Sequence, residues 1–334
     1  MKLSALAIFA LMFSLLAGCA SKPTQPDWIT GNSAKYNNVQ NLIGRGQAAT
    51  QEEAKDRARA DLAKIFQVAV IAEGEDVQKF KSDPTGPGQY ESQSSRHITT
   101  HTEQIIRGIQ IAELWQDPVA KNYYALAVLP RLQAAASLRQ QISQLDDATR
   151  NHIEQSRKNT DLFLKIAAAS LAVDSQQERE SLQKPLQIVD STGRSDESQW
   201  NSAKLESDLD ELLKRVKIAS KVDADSTPGF AEVVGGALAK AGFMIETGQN
   251  PDFVLQAQMN LTDLGLQDGW YWQRGVLEVT LTEAASGRVR GNKRWNVKSN
   301  APDKGTAAKR ALSEADAILK QELRATIIEM ANSR

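Results

Sequence analysis

The chain has one cysteine, Cys19, among 334 residues. No intramolecular disulfide can form, and cysteine-based metal cages and redox pairs are excluded with it. Imidazoles are nearly as scarce, being confined to His97, His101 and His152. Neither sign of charge prevails: 40 Lys and Arg stand against 41 Asp and Glu, a net charge of -1. No overall field draws in a polyanion, so no nucleic-acid partner is expected. There is no Gly-x-Ser-x-Gly elbow, and no Ser/His/Asp set from which to nominate a nucleophile, so neither a catalytic residue nor a cofactor is expected. What is present suits a folded body: 41% hydrophobic and 24% charged residues, in a chain long enough for two domains.

The first residues are of another kind. Met1-Lys2 is followed by an almost unbroken apolar run from Leu3 to Leu16, then Ala17-Gly18-Cys19. About 14 apolar positions are too few for a spanning helix, which needs roughly 20 to cross ~30 Å of hydrocarbon, so the stretch is read as a signal peptide. Leu16-Ala17-Gly18-Cys19 resembles the lipobox of bacterial lipoproteins. The resemblance implies cleavage between Gly18 and Cys19 and acylation of Cys19, with chains such as palmitate, so that the membrane is reached through an N-terminal lipid. Each buried CH₂ contributes ~0.8 kcal/mol, so several chains hold a soluble body firmly. Ala20 and Ser21 stand where inner-membrane retention usually calls for Asp, which implies the outer membrane and a periplasm-facing body. Ser21 to Pro26 reads as a solvated tether.

Beyond the tether, residues 42–49 read as a short strand, and Thr50 with Glu53 forms a capping-box signal for a helix. Ala54, Ala58, Leu62, Ile65 and Ala69 share one face of that helix, opposite Lys55, Arg57, Arg59, Asp61 and Lys64. Its expected partners are an extended stretch from about Val68 to Glu75, a polar strand from about Ser92 to Leu114, and the apolar Tyr123 to Leu129, which ends at Pro130. Asp83 to Gly88 reads as a surface loop. Trp28, the Leu42-Ile43-Gly44-Arg45-Gly46 strand and the Glu53 to Arg59 helix together resemble the LPP-twenty lipoprotein family over roughly residues 27–135. That resemblance implies a small helix-on-sheet domain carried by envelope lipoproteins, flagellar outer-membrane accessory proteins among them, with no catalytic residue to transfer.

From Leu132 to about Gln183 no proline interrupts the chain. Leu138, Ile142 and Leu145, then Leu162, Ile166 and Ala169, keep helical spacing. The polar stretch Asp146 to Asp161 is either a solvated helical segment or the turn of an antiparallel hairpin. Residues 190–202 read as a linker. After them come a helix with Leu205, Leu209, Leu212 and Leu213, a strand from Val216 to Val222, and a helix from Phe230 to Ala241 closed by Gly242. Phe253 to Leu261 and Leu277 to Leu281 alternate as half-buried strands. Arg290 to Ser299 follows a turn, and a last helix runs from about Thr306 to Asn332 with Ala308, Ala311, Ala315, Ile318, Leu323, Ile327 and Met330 inward. The expected class is α+β: a helix on an antiparallel sheet, a long helical segment, and a C-terminal α/β sandwich of order β-α-β-β-β-β-α. The expected divisions are a signal peptide at 1–18, a tether at 19–35, the first domain at 36–131, the helical segment at 132–189, a linker at 190–204 and the last domain at 205–334.

Few motifs invite chemistry. His97 and His101, with Glu103 next along, share a face at zinc-ligand spacing, but the surroundings read as a polar strand and no metal is assigned. Gly44-Arg45-Gly46 lacks the third glycine and the lysine of phosphate loops, and its glycines are read as letting the strand bend and the helix pack closely. Asp146-Asp147 and Asp208/Asp210 are read as solvated helical faces, and Trp28 as docking the tether onto the first domain. The Trp270-Tyr271-Trp272 run, with Trp295 on a neighbouring strand, is the candidate partner-binding site, because stacked indoles can hold a sugar, a peptide or a side chain. Two functions remain open: a noncatalytic scaffold or adaptor for envelope proteins, flagellar ones included, or a lipoprotein that binds cell-wall glycan or peptide through Trp270, Trp272 and Trp295.

Overall fold

The computed structural model describes residues 25–31, 33–80, 108–192, 194, 196–224, 226–248 and 250–332. They form an α+β protein of two compact units. The first comprises the described residues up to Phe80 with 108–135 and 188–192; the second comprises 136–187 and everything from 194 onward.

The first unit contains α1 (Asp27–Thr30), β1 (Asn41–Ala48), α2 (Gln51–Phe80), β2 (Gln110–Gln116) and β3 (Tyr123–Pro130). The strands make an antiparallel sheet in the order β1-β3-β2. As the middle strand, β3 is covered on both faces, which is why its sequence is apolar throughout instead of alternating. Leu126 and Val128 pack with Trp28 on one side, while α2 covers the other. Gly44 and Gly46 of β1 face α2, and a β-carbon built on Gly46 would lie 2.1 Å from the Ala54 carbonyl oxygen, one on Gly44 2.4 Å from that of Ala58. The glycine spacing is therefore the imprint of a helix backbone lying directly on the strand. Gly46→Ala should cost about 2–3 kcal/mol, because the obstacle is backbone that cannot rotate away, and urea unfolding followed by tryptophan fluorescence would show it.

Several details of α2 depart from the sequence reading. Helix continues through 68–75, where an extended stretch was expected: extending a nucleated helix costs little, and the Ala, Glu and Gln around Val68, Val70 and Ile71 outweigh their β preference. The buried stripe is Ala54, Ala58, Leu62 and Phe66, an unbroken step of four, and Ile65 is exposed beside it. Only half of the capping box forms. The Glu53 N–H donates to Thr50 Oγ1 at 3.3 Å, whereas the Glu53 carboxylate turns to Arg57 at 2.7 Å. Of the polar strand expected from Ser92 to Leu114, the described part is β2, from Gln110 onward; the expected loop at 83–88 lies outside the described residues.

The second unit begins in α3 (Arg131–Lys158), whose first turn counts with the first unit, and continues through α4 (Leu162–Ser181), α5 (Gln183–Val189) and α6 (Ser202–Leu213). Both alternatives for 146–161 hold in part: the stretch is helical to Lys158, and the chain reverses at 159–161, where Asp161 caps α4 through the Phe163 and Leu164 N–H groups. Contacts between Asp146 and Arg179 and between Ser156 and Lys165 run in opposite senses, so α3 and α4 are antiparallel.

There follow β4 (Lys217–Val222), α7 (Phe230–Lys240), β5 (Met244–Ile245), β6 (Phe253–Gln267), β7 (Trp270–Glu283), β8 (Val289–Ala301) and α8 (Lys304–Asn332). From β4 onward this is the expected β-α-β-β-β-β-α order. The sheet runs β5-β4-β6-β7-β8, parallel across its first three strands and antiparallel across the rest. Gly242, at φ +89°, ends α7 in a Schellman turn, with the Gly242 and Phe243 N–H groups donating to the Ala239 and Leu238 carbonyls. Alternate residues of β6 and β7, from Phe253 to Met259 and from Leu277 to Leu281, form one core with Phe163, Ile166, Leu213, Phe230 and Leu238 of the helices. The centre of the α8 stripe is Ala307, Ala311, Ala315, Leu319, Leu323 and Ile327; the expected Ala308 and Ile318 lie half-buried beside it.

Candidate functional site

The helices cover one face of the five-stranded sheet and leave the other to solvent. On β7 the residues alternate strictly. Gln273, Gly275, Leu277, Val279 and Leu281 face the core, so Trp272, Arg274, Val276 and Glu278 face outward. Trp270 and Trp272 therefore share the outer face, as strand alternation predicted. Trp295 does not join them, because its register partner is Leu277, a core position. It packs against the core, and its Nε1–H donates to Glu322 Oε2 at 2.7 Å. The expected three-tryptophan cluster is thus a pair plus a structural residue on the opposite face, a separation set by cross-strand register and not by any local signal.

β6 and β7 form a long hairpin closed by Asp268 and Gly269, both left-handed (φ +50° and +79°), as a tight two-residue turn requires. A bulge shifts the register between Asp263 and Gly265 and leaves Leu264 without a partner. Asp263 is bridged by Lys304 at 2.7 Å and accepts from the Gly265 N–H, and both bonds hold its carboxyl below the usual aspartate range. Beyond the bulge, the exposed apolar residues are Leu264 (41%), Leu266 (60%) and Trp270 (42%). Leu266 pairs with Tyr271, whereas Trp270 pairs with Gln267 on the other side, so the tip carries apolar surface on both faces.

Behind the tip, successive outward rows read Trp272 with Asn300, then Thr262, Arg274 and Lys298, then Asn260, Val276 and Asn296, then Gln258, Glu278 and Arg294. Lys298 Nζ lies 4.7 Å from the centroid of the Trp272 ring. Glu278 is engaged by Arg294 at 2.9 Å and by the Asn292 and Gln258 amides, and the Arg294 and Asn292 bonds hold its carboxyl below the ordinary glutamate range.

The first unit has a different arrangement. Trp28 is 2% exposed against Leu126 and Val128, and its Nε1–H donates to Glu113 Oε2 at 2.7 Å. Lys35 holds the second oxygen of Glu113 at 3.0 Å. Arg45, between the two glycines, points away from α2 and donates to the Trp28 and Gly31 carbonyls. The Gly-Arg-Gly run therefore works in both directions: its glycines admit the helix and its arginine clasps the incoming chain. It forms no phosphate loop.

Two carboxylates read as solvated faces have buried or distant partners instead. Asp146 pairs with Arg179, whose side chain is wholly buried and also donates to the Asp196 and Glu197 carbonyls, while Asp210 pairs with Arg324 of α8. Asp147 and Asp208 do form surface pairs on their own helices, with Arg150 and Lys204. Arg179 and Gln176 were not singled out from the sequence, although both fall on the apolar face of α4, which is the one signal that could have found them. Gly18, Cys19, His97, His101 and Glu103 lie outside the described residues. Among the described residues no group of three His, Cys, Asp or Glu could hold a metal, and no helix is long and apolar enough to cross a membrane.

The tether clasp and the helix-on-glycine strand are the features on which the resemblance rested. Residues 26–130 match the LPP20 lipoprotein family. The LPP20 stretch begins beside the buried Trp28 and ends with β3, against the 27–135 expected. No curated protein matches the chain. Among solved structures, the secreted protein HP1454 of Helicobacter pylori is similar over 84% of this chain and 97% of its own, at 13% identity and a TM-score of 0.44. A minor lipoprotein of Acinetobacter baumannii is similar over 36% and 94%, at 15% identity and a TM-score of 0.25. The rare lipoprotein B of Shewanella oneidensis is similar over 34% and 91%, at 13% identity and a TM-score of 0.23.

Proposed function

We propose that this chain is a noncatalytic lipoprotein, acylated on Cys19 and held on the periplasmic side of the outer membrane, that acts as a scaffold or adaptor in envelope assembly. The LPP20 match and the Leu16-Ala17-Gly18-Cys19 sequence support the anchor. The adaptor role rests on the β6–β7 tip. Leu264, Leu266 and Trp270 are exposed at the end of a hairpin closed by a tight turn and bridged at its bulge by Asp263 and Lys304. A short apolar projection of this kind suits insertion into a partner's groove. The same tip would serve a partner in a flagellar structure or elsewhere in the envelope.

The test is photo-crosslinking in intact cells from a probe at position 268. Defined crosslinks to envelope proteins are expected, and Leu264→Ser with Leu266→Ser should abolish them without changing the membrane fraction or the urea midpoint, since both side chains already face water. Crosslinks that persist in the double variant, or none in the wild type, would rule the tip out.

A further inference from the structure

From the outer sheet face, which shares only Trp270 with the hairpin tip, we infer a binding strip for an extended glycan chain that carries carboxylates. The decisive observation is the row Thr262, Arg274, Lys298. Arg274 and Lys298 are direct cross-strand partners, both exposed on the same face, and among the described residues neither side chain has a carboxylate partner, Glu314 reaching only the Lys298 backbone N–H at 3.3 Å. Like charges placed directly opposite destabilise a sheet. Among the described residues of the neighbouring rows the carboxylate on this face is Glu278, and Arg294, Asn292 and Gln258 already occupy it. Among the described residues the two cations are thus held side by side without a carboxylate on either side chain, an arrangement that an incoming carboxylate would complete.

The surroundings point to carbohydrate. On one side of the cation pair lies the half-exposed Trp272, with Lys298 Nζ 4.7 Å from its ring centroid, and the exposed Trp270 two residues further offers an indole face on which the C–H face of a sugar ring can stack. On the other side Asn260 and Asn296 flank Val276, with amides that both donate to and accept from hydroxyls. From Trp270 to Val276 the strip is about 20 Å long at ~3.3 Å per residue, so an elongated polymer fits it better than a compact ligand. Among the described residues of the second unit no helix covers this face.

The experiment titrates the full acylated protein in detergent with soluble peptidoglycan fragments, with the same fragments after amidation of their carboxyl groups, and with anionic vesicles free of glycan. Binding of the untreated fragments is expected, weakened about tenfold by amidation and by Arg274→Gln with Lys298→Gln. The double variant should unfold no more readily than the wild type, because the substitutions relieve a like-charge pair. Leu264→Ser with Leu266→Ser should leave the titration unchanged, which separates this strip from the tip. Equal affinity in the Arg274/Lys298 variant, no binding of fragments, or vesicle binding with the same sensitivity to the two cations would overturn the inference, the last by replacing the glycan with a membrane.

Discussion

Cys19→Ser should move the protein from the membrane to the soluble fraction, the largest single change expected of any substitution in the chain. On the proposed reading the thiol carries the acyl chains, and at ~0.8 kcal/mol per buried CH₂ their loss removes far more free energy than any one contact within the folded body contributes. No helix among the described residues could take over as an anchor. Fractionation of cells, with mass spectrometry of the N-terminal peptide, checks the result. A serine form that pellets as completely as the wild type would contradict acylation as the means of attachment. The urea midpoint of the folded units should stay the same, because the substitution changes none of the described core residues.

Trp28→Ala should be the most damaging substitution within the fold, at about 3–5 kcal/mol, the usual range for truncating a buried aromatic to alanine. The indole fills the space over Leu126 and Val128, and its N–H satisfies Glu113. Alanine would leave both a cavity and a carboxylate bonded to Lys35 alone. The damage should also be local, since the chain from Asp27 to Gly31 is clasped by Arg45 only through the carbonyls of Trp28 and Gly31. Limited proteolysis between residues 25 and 40 should quicken alongside a fall in the urea midpoint, and Trp28→Phe should recover packing without the bond to Glu113. Unchanged cleavage in the alanine variant would show that the clasp is not held by the indole.

These two predictions concern the ends of one device. Nine positions separate Cys19 from Trp28 in the chain, a span of roughly 30 Å at full extension. With Trp28 fixed on the sheet, the first unit would be held close to the bilayer. Sheet packing therefore sets the length of the tether, which the unpatterned sequence Ser21 to Pro26 does not.

Much of the architecture was legible because it follows from local chemistry. The lipobox resemblance depends on contiguous residues. The alternation of Phe253 to Leu261, the Ala311, Ala315, Leu323 and Ile327 positions of α8 and the Gly242 stop report which side of an element meets apolar neighbours, and any element must bury such a face. The spacing of Gly44 and Gly46 even announced a close helix. Where strand and helix preferences competed, as at Val68 to Glu75, the helix already under way prevailed, a cooperative effect that no window of sequence contains.

Tertiary structure alone decided what meets what. Trp295 left the tryptophan cluster because antiparallel register put it opposite Leu277, and register depends on the turn and bulge of the whole β6–β7–β8 meander. Arg274 came to lie beside Lys298 for the same reason, although 24 positions separate them in the chain. Arg179 found Asp146 only once α3 and α4 folded back on each other. The sequence by itself determined the elements, their buried faces and the resemblance to a lipoprotein, since these depend on residues within a few positions of one another. Pairings between distant residues, and hence the composition of every candidate site, belong to the folded chain, because they follow from how elements register and pack against one another.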